Sequence, residues 1–169
     1  GVIALAGELV SHGALRAGNE RAAPTLRAAL GRIGKCADAV ALLRQMERPN
    51  RFSYNAAVSA CAKGRQCDHA LALLGEMHAR GLKPDVISYS AVISACEKAS
   101  MWQRALELLL EMETRGLEPD VISYSAAISA CEKGAQWERA LERLQAMRAR
   151  GLEPNVIRCA ARRDARWGM

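Results

Sequence analysis

Three consecutive segments of this chain repeat one another without a gap. Arg51–Asp85 reads RFSYNAAVSACAKGRQCDHALALLGEMHARGLKPD, Val86–Asp120 reads VISYSAVISACEKASMWQRALELLLEMETRGLEPD, and Val121–Asn155 reads VISYSAAISACEKGAQWERALERLQAMRARGLEPN. Each is 35 residues long, and Tyr54, Tyr89 and Tyr124 align, as do Gly81, Gly116, Gly151 and Pro84, Pro119, Pro154. A fixed period of this size is the signature of a repeat architecture, in which each unit is one supersecondary element stacked on the next.

Within a unit the apolar spacing is helical. In the second, Tyr89, Val92, Ile93 and Cys96 fall at i, i+3, i+4 and i+7, one stripe of a first helix. Trp102, Ala105, Leu106, Leu109 and Met112 form the stripe of a second helix. Lys98–Met101 is a short break, marked in the neighbouring units by Gly64 and Gly134. The second helix stops at Arg-Gly-Leu-x-Pro: Gly116 supplies a left-handed residue, Leu117 can return onto Met112, and Pro119 prevents continuation. Asp120 then stands at the N-cap of the following helix. A helical hairpin cannot bury its own stripe, so stacked hairpins must share a continuous core. The expected fold is all-α, a right-handed α-solenoid of 35-residue helix-turn-helix repeats whose first helices line the concave face, with Leu106 and Leu141 in the core.

Composition agrees. Half of the residues are apolar while aromatics make up only 4%, which suits aliphatic helices better than a β-sandwich. No apolar run reaches the 18 or so residues of a membrane span, so no membrane partner is expected. The formal charge is +6, with Lys+Arg against Asp+Glu at 7 to 4 in residues 1–50, 5 to 3 in 51–85, 3 to 6 in 86–120, 5 to 4 in 121–155 and 4 to 1 in 156–169. The basic ends allow a polyanionic partner, although the middle unit is acidic.

Residues 1–50 read as a degenerate half-repeat and a shortened repeat. CADAVALLRQM (Cys36–Met46) aligns with CDHALALLGEM (Cys67–Met77), Pro24 falls where a first helix would begin, and GELVSHG mimics GEMHARG. Residues 156–169 read as a truncated repeat start, from Val156-Ile157, and a frayed basic tail. The first residue is not methionine and no signal peptide is visible, which suggests a chain that begins inside a longer array. The six cysteines form no CxxC pair, and Cys61, Cys96 and Cys131 recur at one position, as small buried residues do. Reduced thiols and a reducing compartment are the expectation. His12, His69 and His78 share no spacing, so neither a metal nor a catalytic role is assigned to them. No catalytic residue, cofactor site, zinc-type deaminase motif or small-molecule substrate is indicated.

The V-I-S-Y-S start, the I-S-A-C-E-K-G end of the first helix and the A-L-x-L-L-x-E-M…R-G-L-x-P-D second helix resemble the pentatricopeptide repeat (PPR) family, closely over residues 51–155 and partially over 1–50. Tetratricopeptide repeats, the nearest rival, have a 34-residue period and a W-x2-L-G-x2-Y first helix. The resemblance implies a non-catalytic adaptor that binds single-stranded RNA, one base per repeat, in processing, stability, editing or translation of transcripts in a plastid or mitochondrion, alongside other RNA-processing proteins. By the family's code, the fifth and last residues of each unit read the base: Asn55 with Asp85, Ser90 with Asp120, Ser125 with Asn155, for U, G and A in turn. The resemblance also implies that Phe52, Ile87 and Ile122, with Ile157 as a further candidate, sandwich bases. It implies phosphate contacts for Lys63, Lys98 and Lys133, at position thirteen. Competing roles are plain: Asp85 and Asp120 as caps only, Ser90 and Ser125 as surface polar residues, the lysines as complements to the helix dipole, and the isoleucines as packing residues. A second function class, a protein-interaction solenoid holding a helix or extended peptide in its groove, fits the same fold.

Overall fold

The structure is a computed structural model, and it describes residues 36–46 and 49–153. Among these residues there are seven α-helices and no strand: α1 (Cys36–Gln45), α2 (Arg51–Lys63), α3 (Cys67–Ala79), α4 (Val86–Lys98), α5 (Trp102–Thr114), α6 (Val121–Lys133) and α7 (Trp137–Ala149). The chain is an α-solenoid. First helices α2, α4 and α6 pack side by side along one face, and the second helices α3 and α5 each pack on their own partner and on the next first helix. None of these helices is long and apolar enough to cross a membrane.

Each element begins and ends for a local reason. Asp85 and Asp120 cap α4 and α6 from extended backbone, their carboxylates accepting the Ser88 and Ser123 amides at 2.9 and 2.8 Å. Asn50 caps α2 in the same way, accepting from the Ser53 amide at 3.0 Å. Second helices close with the Leu82, Leu117 and Leu152 amides returning to the carbonyls of Met77, Met112 and Met147 around left-handed Gly81, Gly116 and Gly151. The turn inside each hairpin uses the same motif. Gln66, Met101 and Gln136 return to Cys61, Cys96 and Cys131, but the left-handed residues are Arg65, Ser100 and Ala135. Gly64 and Gly134, which mark this break in the sequence, have ordinary negative φ.

Gly134 is needed instead for space: a Cβ there would overlap the indole of Trp102, whereas at Gly64 it would meet only ordinary contacts at 3.6 Å. The Arg139 guanidinium also lies over the Trp102 ring, 5.1 Å from its centroid. Gly134→Ala is therefore expected to destabilise the fold by about 1–2 kcal/mol through overpacking. Gly64→Ala is expected to be neutral or to stabilise by about 0.5 kcal/mol, because it restricts only the unfolded chain. Urea unfolding of the two variants followed by circular dichroism checks the contrast, and equal stabilities would refute it.

The core is a shared aliphatic seam with three fully buried tyrosines, Tyr54, Tyr89 and Tyr124. Two expectations need correction. Leu106 is half-buried against this seam, but Leu141 is 50% exposed. A second helix is covered by the first helix of the following unit, as α5 is by α6, and α7 has no such neighbour among the described residues. Trp137 is exposed on the same helix. The cysteines are not all reduced either: Cys36 and Cys61 form a disulfide between α1 and α2. Cys61, Cys96 and Cys131 are indeed fully buried, but the thiol facing each of the first two comes from the start of the preceding second helix, a non-local pairing that spacing along the chain does not reveal.

Candidate nucleic-acid interface

The start of each first helix gathers the chemically distinctive residues. Phe52, Ile87 and Ile122, the second residue of α2, α4 and α6, are 49%, 63% and 61% exposed. Large apolar side chains held open at one repeated position cost solvation free energy and contribute nothing to the core. They are the opposite of packing residues. Arg51 lies over the Phe52 ring, its guanidinium carbon 5.5 Å from the centroid.

One turn further along α2, the fifth residue of the first unit, Asn55, meets the last residue of that unit, Asp85, at the mouth of α4. The Asn55 amide donates to Asp85 Oδ1 at 3.2 Å, and the Arg51 guanidinium lies 3.3 Å from Asp85 Oδ2. The Ser88 hydroxyl sits 2.9 Å from Asp85 Oδ1 and 2.5 Å from Asn55 Oδ1, and with one proton it donates to one of them at a time. It also accepts from the Asp85 amide at 3.1 Å, which completes a capping box. Burial would raise the Asp85 carboxyl, yet the Ser88 amide and hydroxyl, Asn55 and Arg51 outweigh it and hold Asp85 below its usual range. Capping and display are compatible here: the same carboxylate closes α4 and faces Asn55.

The second pair is looser. Asp120 caps α6 and accepts from the Ser123 hydroxyl at 2.7 Å, but it carries no ion pair among the described residues, Val86 standing where Arg51 stands one unit earlier. Ser90 is buried, and its hydroxyl donates to the Ile87 carbonyl at 3.1 Å rather than to Asp120. Ser125 is half-buried on α6; its partner Asn155 lies outside the described residues, as does Ile157. Asn50 occupies the equivalent last position ahead of α2 and caps it, although Arg48-Pro49-Asn50 lacks the Gly-Leu loop that would have marked it.

The lysine row ends the first helices. Lys63 is exposed and Lys98 half-buried. Lys133 is held across the unit boundary, its ammonium 2.6 Å from Glu97 Oε1 and 3.2 Å from the Glu97 carbonyl. Any phosphate contact by Lys133 competes with that ion pair. Among the described residues no cluster of His, Cys, Asp and Glu has the arrangement of a metal site.

Comparison with known proteins adds three findings. The profile of the PPR repeat family matches residues 49–98 and 84–133, and that of the PPR repeat matches residues 122–152. The chain superposes on the pentatricopeptide repeat protein PPR10 in complex with an 18-nt psaJ RNA element with a TM-score of 0.66, at 26% identity over 90% of this chain and 25% of that one. PPR10 from maize, in a separate crystal structure, matches with a TM-score of 0.61, at 32% identity over 78% of this chain and 19% of that one. The chain thus spans a quarter or less of the length of these structures. No curated protein sequence matches.

Proposed function

The chain belongs to the pentatricopeptide repeat family, and from that premise we propose that it is a sequence-selective, non-catalytic binder of single-stranded RNA. PPR10, which it resembles in fold, is seen holding an 18-nt RNA element. The observation that carries the reading is the repeated mouth of the first helices, where an exposed apolar residue stands beside polar residues, joined as a pair at Asn55–Asp85. Phe52 with Asn55–Asp85, Ile87 with Ser90 and Asp120, and Ile122 with Ser125 recur one unit apart. An apolar side chain between successive bases gives contact to any sequence, while amide, hydroxyl and carboxylate groups on base edges give selectivity.

In this reading Asn55/Asp85, Ser90/Asp120 and Ser125/Asn155 read U, G and A, running 5′ to 3′ with the chain. Phe52, Ile87 and Ile122 sandwich the bases. Lys63, Lys98 and Lys133 add a phosphate term that weakens with salt, with Lys133 leaving Glu97 to do so. The three full repeats, 51–85, 86–120 and 121–155, form the reading unit, with 1–50 and 156–169 as partial repeats on either side. The process served is organellar RNA metabolism (processing, stability, editing or translation) in a plastid or mitochondrion.

Fluorescence anisotropy with a labelled RNA carrying U-G-A in an inert background tests this at fixed, near-physiological salt. Tighter binding of U-G-A than of a permuted triplet, by about tenfold, is expected, and the Asn55→Ala/Ser90→Ala/Ser125→Ala variant is expected to erase it. Equal, salt-labile binding of every sequence would reduce the site to a basic helical surface. Absence of RNA binding together with capture of a helical or extended peptide would favour the protein-interaction solenoid.

A further inference from the structure

A second pair of cysteines stands in the same relation as the disulfide-bonded first. Cys36 is the first residue of α1 and bonds Cys61 in α2. Cys67 is the first residue of α3, and its sulfur lies 2.8 Å from that of Cys96 in α4. Cys61 and Cys96 are 35 residues apart, the repeat period, so both pairs join the start of one second helix to the last turn of the next first helix. One unit further along, Trp102 takes the place of the cysteine at the start of α5, and Cys131 in α6 is a free thiol. The sequence thus places two rungs in succession and ends the ladder with an indole.

Cys67 and Cys96 are both buried, and their sulfurs are closer than two unbonded thiols ordinarily approach. Closing to a bond of about 2.05 Å needs a movement of under an ångström, small beside the tolerance of a helix–helix contact. We propose that Cys67 and Cys96 are a redox modification site, oxidised by a peroxide to a second inter-repeat disulfide that staples α3 to α4.

The roles follow from position. Cys67 opens α3, where the helix N-terminus favours the thiolate. The hydrogen bond from Cys96, and behind it the charge of Arg104, act in the same direction on it against burial and Asp68, while the facing Cys67 sulfur first and burial second hold the Cys96 thiol protonated. The Cys67 thiolate attacks one oxygen of hydrogen peroxide. An S–O bond forms, the O–O bond breaks, and the leaving hydroxide takes up a proton as water. Cys96 sulfur then attacks the Cys67 sulfenic sulfur; the S–S bond forms, the S–O bond breaks, and the departing hydroxide leaves as water with the Cys96 proton. Two thiols and one peroxide give one disulfide and two waters. The staple fixes α3 against the last turn of α4, the end of that helix opposite the Asp85 cap, and leaves the joint between α5 and α6 unlinked.

Peptide mapping of the full chain tests this directly. The reduced protein is treated with graded hydrogen peroxide, denatured, alkylated and digested. The expected product is a peptide linking Cys67 to Cys96 beside the one linking Cys36 to Cys61, with Cys131 alkylated. The melting temperature is expected to rise by about 5–10 °C, reversibly on addition of dithiothreitol. In the Cys96→Ser variant the link disappears and Cys67 is trapped by dimedone as a sulfenic acid. Recovery of both Cys67 and Cys96 as alkylated thiols while Cys36–Cys61 is linked would overturn the proposal, and so would oxidation of Cys67 straight to a sulfinic acid in the wild-type chain. The wild-type mapping decides the matter even where a serine variant fails to fold.

Discussion

Ser90→Asn is expected to move the preferred triplet from U-G-A to U-U-A, with a change in relative affinity between those two RNAs of tenfold to about a hundredfold. The first unit already shows what the variant would look like. Asn55 places its amide 3.2 Å from Asp85, with Ser88 beside both. In the second unit the Asp120 carboxylate caps α6 as Asp85 caps α4, and Ser123 stands where Ser88 stands. An asparagine at 90 therefore meets the same carboxylate and hydroxyl that Asn55 meets, and exchanges the short Ser90 hydroxyl, now spent on the Ile87 carbonyl, for a donor and acceptor that reach the pair. A well-placed polar pair discriminates bases by about 1–3 kcal/mol, and each 1.4 kcal/mol is a factor of ten. The reverse exchange, Asn55→Ser, is expected to favour G-G-A. Anisotropy titrations with the three RNAs check both, beside a far-ultraviolet spectrum to show that the helices are intact. A folded variant with unchanged preference would mean that the fifth residue does not read the base.

How much of this was legible in the sequence depended on whether the cause was local. The period, the helix pairs, the caps at Asp85 and Asp120 and the left-handed Gly116 are all set by residues within one turn of one another, and the repeat displays each of them more than once. Phe52, Ile87 and Ile122 are exposed because the second residue of each first helix lies on an open face. What escaped was decided between units. Nothing in the spacing 36, 61, 67, 96 says that the start of one second helix packs on the last turn of the next first helix, and the cysteine pairing depends on that contact. Leu141 matches Leu106 in sequence but differs in exposure, because burial there is supplied by the following unit. Gly134 resembles a turn glycine, yet its requirement comes from an indole 32 residues earlier. Ser90 shares the fifth position with Asn55, and only the structure shows its hydroxyl turned back onto its own helix.

Raising the pH from 8 to 11 is expected to strip about 1.4 kcal/mol of stability for each of Tyr54 and Tyr89. Both phenols are fully buried, and each donates to a carboxylate of its own second helix, Tyr54 to Glu76 and Tyr89 to Glu111, at 3.0 Å. Arg80 and Arg115 hold those carboxylates at 3.1 and 2.8 Å. The third unit has Ala146 in place of the glutamate, and Tyr124 turns to Glu113 of the preceding unit at 2.9 Å, which Arg150 also reaches at 3.1 Å. The tie that closes a hairpin in the first two units thus joins units two and three. Burial first, and then the adjoining carboxylate, push Tyr54 and Tyr89 up to about 12, and Tyr124 is raised for the same reasons. A folded pKa above the unfolded value near 10 means that the neutral phenol is favoured in the fold. Its contribution is fully present below pH 10 and is lost as the pH climbs from 10 to 12. At about 1.36 kcal/mol per unit, the loss is about 1.4 kcal/mol at pH 11 and about 2.7 kcal/mol when complete, for each of the two residues. Tyr54→Phe/Tyr89→Phe separates this from other alkaline titrations. It is expected to cost about 1 kcal/mol per hydroxyl at pH 8, where a hydrogen bond is lost, and to flatten the fall above pH 10. Urea unfolding followed by circular dichroism at pH 8, 10 and 11 measures both slopes. An unchanged slope in the phenylalanine variant would assign the alkaline loss to other groups, and would remove the Tyr54–Glu76–Arg80 and Tyr89–Glu111–Arg115 ties from the account of what closes each hairpin.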